Sequence, residues 1–149
     1  MKTRIFFAAL LSGILFSLPA AAEDPSLFVK LLYANYEHMG RWAKDYNPCH
    51  EYCEADFAKL LDAAHRKNMI DYDPICQCKG AGGKYLMFMG AQGATGDDYL
   101  ATMMKAGDLH TSWVLVLKWD GGGWKLHDIM EKRNGKQISV RQRLAGALS

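Results

Sequence analysis

The strongest constraint on this chain is an alternation near its C-terminal end. Trp113, Leu115, Leu117 and Trp119 alternate with Val114, Val116 and Lys118, and Asp120-Gly121-Gly122-Gly123 then turns the chain into Trp124–Met130. A period of two predicts strands with one buried face, and an Asp-Gly turn between them predicts an antiparallel hairpin. An isolated hairpin is marginal in water, so its apolar face needs a cover. Upstream, Asp24-Pro25 reads as an N-cap followed by proline at the first helical position. Phe28, Leu31, Leu32, Tyr36 and Met39 then recur at helical spacing until Gly40. Asn47-Pro48 opens a second helix, with Cys49, Cys53, Phe57, Leu60, Leu61 and Ala64 close to one face. Asp71–Cys76 predicts a short strand whose proline suits an edge or a strand start. Weaker strands are predicted over Lys84–Met89 and Tyr99–Met104, separated by the glycine-rich Gly90–Gly96. Ser139 is placed to cap a last short helix carrying Val140, Leu144 and Leu148. No repeat or linker interrupts this order of helices first and strands second, which predicts one α+β domain over residues 23–149.

The first 22 residues predict a leader. Met1–Arg4 carries two positive charges, Ile5–Leu18 is apolar, and Pro19-Ala20-Ala21-Ala22 offers a cleavage site before Glu23. That is the pattern of a secretory signal peptide, and the apolar run is shorter than the roughly 20 residues a spanning helix needs. No stable membrane insertion is expected, and export to a bacterial periplasm is the simplest destination. Cleavage after Ala22 would remove Lys2 and Arg4, leaving 16 basic against 16 acidic residues. A neutral chain gives no electrostatic case for nucleic acid.

All four cysteines, Cys49, Cys53, Cys76 and Cys78, fall in the mature part. In an oxidising compartment an even count predicts two disulfides. Bridges from the Cys49/Cys53 helix to the Cys76/Cys78 strand, in either order, would each close a loop of about 25 residues and contribute roughly 3 kcal/mol. The rival is a zinc site of four thiolates, although neither half has the usual Cys-x2-Cys spacing. The cysteines therefore read as structural, with no metal and no cofactor expected.

Trp113–Lys118, the glycine turn and Trp124-Lys125-Leu126-His127-Asp128-Ile129 resemble the closing hairpin of nuclear transport factor two-like (cystatin-like roll) domains. Ile70-Asp71-Tyr72-Asp73-Pro74-Ile75 further resembles an Asp-x-Asp-Pro signature of a secreted bacterial family of unknown function sharing that roll. Here the continuation into Gln-Asp is replaced by Gln77-Cys78-Lys79. The resemblance implies N-terminal helices packed on a curved antiparallel sheet, forming a cone whose mouth can hold a small molecule. Related exported domains serve as immunity proteins against type VI secreted cell-wall amidases. This chain is similar to them in size, leader and disulfide potential.

Two functional classes follow. In the first, the chain is a non-enzymatic binding protein whose partner is a cell-wall hydrolase or effector. Gly90–Gly96 (with Gly93 within it), followed by Asp97 and Asp98, is the candidate loop to plug a cleft. Charge is sorted along the chain: seven acidic against three basic residues between Asp45 and Asp73, then five basic residues facing only Glu131 from Met130 onward. Such sorting can steer a complementary partner, or the basic tail can simply pack against the acidic helix. In the second class the cone binds or converts a small molecule around Trp113, Trp124 and Asp128. Strand alternation puts Asp128 on the face of Trp124 and Leu126, where a carboxylate among tryptophans could act as a general base. The plainer reading is that Asp128 ends the buried stretch and reaches solvent or a backbone N–H. No nucleophile-elbow, zincin or phosphate-loop motif occurs. Exposed strand edges also make a homodimer an open possibility.

Overall fold

Asp24 opens the first helix as its residue type predicts. Its carboxylate accepts from the Ser26 amide at 2.9 Å and the Ser26 hydroxyl at 2.8 Å, which satisfies a first-turn donor of α1 (Pro25–Met39). The computed structural model describes residues 24–39, 49–79, 85–88, 98–105 and 108–149. The predicted leader, Asn47-Pro48, Gly93, Asp97 and the rest of Gly90–Gly96 lie outside the described residues. After α1 come α2 (Cys49–Tyr52), α3 (Ala55–Arg66), β1 (Tyr85–Phe88), β2 (Asp98–Lys105), β3 (Asp108–Trp119), β4 (Trp124–Arg133), β5 (Lys136–Ser139) and α4 (Val140–Leu148). The five strands form one antiparallel sheet in chain order, β1-β2-β3-β4-β5, so the protein is α+β. No helix among the described residues is long and apolar enough to cross a membrane.

The sheet is two-sided in the way the alternation requires. Trp113, Leu115 and Leu117 of β3 are buried beside Leu126 and Ile129 of β4 and Ala101 and Met103 of β2, whereas Leu100, Thr102, Val114 and Val116 stay partly exposed. Val29, Leu32 and Tyr33 of α1, Phe57, Leu61 and Ala64 of α3, and Val140 and Leu144 of α4 complete the same core. The Trp113 indole is 1% exposed and its Nε1 donates to the Tyr33 hydroxyl at 3.1 Å. Tyr33 in turn donates to the Ile75 carbonyl at 2.5 Å. This pairs a polar group that the aromatic core would otherwise strand.

Four expectations change. The predicted helix over Cys49–Ala64 is broken at Cys53-Glu54, because Cys53 bridges Leu126 and the Glu54 amide donates to the Leu126 carbonyl at 3.0 Å. That long-range pairing draws Glu54 into extended backbone (ψ 142°) between α2 and α3. Asp71–Cys76 is not a strand: the Asp73 and Cys78 backbones pair with each other across a tight turn. The disulfides lie within the segments, Cys49–Cys53 and Cys76–Cys78, with Cα atoms 4.8 Å and 5.2 Å apart. Such short rings contribute about 2 kcal/mol or less on the chain-entropy scale, below the roughly 3 kcal/mol of the expected cross-links. Finally, Asn134-Gly135 makes a two-residue turn with both residues left-handed (φ 50° and 77°), and β5 follows it.

Candidate functional site

β4 carries a bulge. Leu117 pairs with Leu126 but Val116 pairs with Asp128, so His127 is the extra residue. The bulge takes Asp128 off the row of Trp124 and Leu126 and corrects its predicted facing. Asp128 is buried, and its carboxylate accepts from the Ile129 amide (2.7 Å), the Ser139 hydroxyl (2.5 Å) and the Arg141 amide (2.9 Å). Ser139 meanwhile accepts from the Gln142 amide at 2.9 Å. Together the two side chains satisfy the first donors of α4, as predicted for Ser139 and extended here to Asp128. Trp113 lies in the core, Trp124 in the same core at the base of the β3–β4 turn, and Asp128 at the start of α4.

The sorted charge meets itself. Arg141 pairs with Glu54 at 2.6 Å and Asp56 at 2.9 Å, and donates to the His127 carbonyl at 2.8 Å. Its guanidinium bonds hold the Asp56 carboxyl below the usual carboxylate range. Buried Glu131 accepts from Tyr72, Gln77 (2.9 Å), Arg133 (3.0 Å) and Arg143 (3.4 Å). Burial, then the neighbouring Glu131, pushes the Tyr72 phenol up to about 12. Gln77 reaches Glu131 from inside the Cys76–Cys78 ring, in a left-handed conformation with φ 50°. Much of the acidic and basic surface is therefore spent on joining the C-terminal strands and helix to α3 and to the Asp71–Lys79 turn. Asp98, one of the predicted binding residues, begins β2 and pairs with Lys118 at 3.9 Å.

Among the described residues, a groove of about 660 Å³ lies between the start of α1, α2 and the β3–β4 turn. Phe28, Tyr52 and Trp124 line it, with Leu27 and Leu31 from one face of α1. The Phe28 and Tyr52 rings meet edge to face at 5.9 Å, and Trp124 is buttressed by Trp119 at 5.6 Å and Tyr99 at 6.1 Å. Leu27 and Leu31 are 51% and 52% exposed, so Leu31 is not the core residue its spacing predicts. The core stripe of α1 runs instead through Val29, Leu32 and Tyr33.

Comparison with protein families, curated proteins and solved structures finds no match. The groove therefore has to be read from its own chemistry. Its polar lining is Asp24, Glu51, Asp120 and Lys125. Asp24 is held below the usual carboxylate range by the Ser26 hydroxyl and amide, and Asp120 by the Gly122 and Gly123 amides at 2.9 Å and 3.0 Å. Lys125 donates to the Glu51 carbonyl at 3.0 Å. Among the described residues no cluster of three His, Cys, Asp or Glu side chains could hold a metal. Of the predicted binding residues that are described, Asp98, Trp113 and Trp124, only Trp124 lines the groove. The sequence presents Asp24 as a helix cap, Asp120 as a turn residue and Leu31 as part of the helix stripe, so none of them carries a binding signal before the exposure of Leu27 and Leu31 is known.

Proposed function

We propose that this chain is a non-enzymatic binding protein of the periplasm, an inhibitor or immunity protein that occludes a cell-wall hydrolase of the amidase type. The observation that carries the reading is the groove, where two leucines about half exposed on one helix face flank an aromatic floor. A surface of this kind gains from being covered by a partner. Two disulfides fit a chain that works in an oxidising compartment. Cys49–Cys53 lies in α2 and its junction with α3, and Glu51 and Tyr52 between the bridged cysteines line the groove, so the bridge stiffens one wall. The sheet order and the closing hairpin support a roll of the nuclear transport factor two-like kind, with the groove at the turn end of that hairpin.

The reading is tested by assaying secreted cell-wall amidases with the mature chain and with a Leu27→Asp/Leu31→Asp double variant. Both leucines are exposed, so the variant is expected to keep its melting temperature. The wild type should inhibit at least one amidase stoichiometrically and the variant should fail. Inhibition of none, or equal inhibition by both proteins, overturns the proposal. Size-exclusion chromatography on the same samples reports whether a second copy of the chain is the occupant instead.

A further inference from the structure

We infer that the groove takes from its partner an apolar side chain flanked by lysine or arginine, a cationic apolar segment rather than a neutral or acidic one. This deepens the binding reading above and rests on it. Two carboxylates, Asp24 and Asp120, line the groove with one ammonium, Lys125, which donates to the Glu51 carbonyl. Asp24 and Asp120 belong to different elements, the cap of α1 and the β3–β4 turn, and Leu27, Leu31 and Trp124 line the same groove. An aliphatic side chain entering the groove would cover the leucines, while a cation beside it would meet carboxylates that local amides already fix in place. The long stems of lysine and arginine suit this, because their methylenes can lie on apolar surface while the charged head stays in water. The same carboxylates repel an acidic segment, which supplies selectivity as well as affinity.

The charge can be removed without removing the structure. Asparagine caps a helix about as well as aspartate, so Asp24→Asn keeps the oxygen for the Ser26 amide, and Asp120→Asn keeps the acceptor for Gly122 and Gly123. The test uses two blocked synthetic peptides that differ only in charge, a Leu-Leu pair flanked by lysines in one and by glutamates in the other. Each is titrated into the mature chain while the Leu27 and Leu31 methyl and Trp124 indole resonances are followed by NMR. The lysine peptide should shift those resonances, and the glutamate peptide should not. Affinity should drop about 2–5-fold for each carboxylate neutralised, as exposed pairs do, and should weaken as salt is added. Equal binding of both peptides, or no shift at the groove by either at about 1 mM, overturns the inference. Because no hydrolase enters this titration, its failure is distinguishable from failure of the amidase assay.

Discussion

Replacing Asp128 by alanine separates a structural carboxylate from a catalytic one. The substitution removes the acceptor for three donors: the Ile129 amide, the Ser139 hydroxyl and the Arg141 amide. A hydrogen bond to a charged group contributes about 1.5–3 kcal/mol, and loss of a helix cap costs about 1 kcal/mol. The contributions overlap, since the Arg141 bond is itself the cap, and Ser139 keeps its bond from Gln142. The expected destabilisation is therefore about 3–4 kcal/mol, which in a domain of this size lowers Tm by roughly 10–15 °C. Asp128→Asn keeps one oxygen for the amides and should lose only about 1–2 kcal/mol. Urea denaturation followed by far-UV circular dichroism gives both values, and hydrogen exchange should show lost protection at Arg141 and Gln142 in the alanine variant. An alanine variant within about 0.5 kcal/mol of wild type would refute the capping argument and return Asp128 to the list of candidate bases.

Other expectations follow from the same contacts. Tyr33→Phe removes the acceptor of the Trp113 indole N–H and the donor to the Ile75 carbonyl and should cost about 2–4 kcal/mol by urea denaturation. Because Arg141 depresses Asp56, the stability that this pair supplies is present above the ordinary carboxylate pKa of 3.8 and is lost as pH falls below it. Wild type should therefore exceed Arg141→Gln in stability at neutral pH, and the difference should shrink as acid denaturation approaches. Tyr72 is raised rather than lowered, so its contribution holds below pH 10 and fades as pH climbs through about 12. Ultraviolet titration should find a late-ionising phenol that Tyr72→Phe removes. The Cys76→Ser/Cys78→Ser pair should lower stability by about 2 kcal/mol or less, since the ring is short and the Asp73–Cys78 backbone pairing remains.

The elements written in local chemistry were legible in the sequence. The Asp24 and Ser139 caps, the Trp113–Trp119 alternation and the Asp120 turn appear where their residue types place them. The misses share a cause, which is contact between distant parts of the chain. Nothing near Cys53 announces that Leu126 will pair with it and split a helix, and nothing near His127 announces the bulge that re-aims Asp128. Spacing alone could not choose between bridges within and between the cysteine segments. β5 is different, because Asn134-Gly135 is a readable hairpin signal that the basic character of the tail obscured. The groove was half legible. Trp124 was singled out from its strand, but Leu31 was assigned to the core because helical spacing gives a face without saying which flank of it meets the sheet.

The groove as the partner-binding surface is tested most directly by site-specific photocrosslinking in cells of the native host. A benzophenone amino acid at Leu31, on the groove, is compared with one at Leu100, which is 38% exposed on β2. The account predicts a single adduct with a cell-wall hydrolase from position 31 and none from position 100. An adduct from position 100 alone, or no hydrolase adduct from position 31, would contradict it.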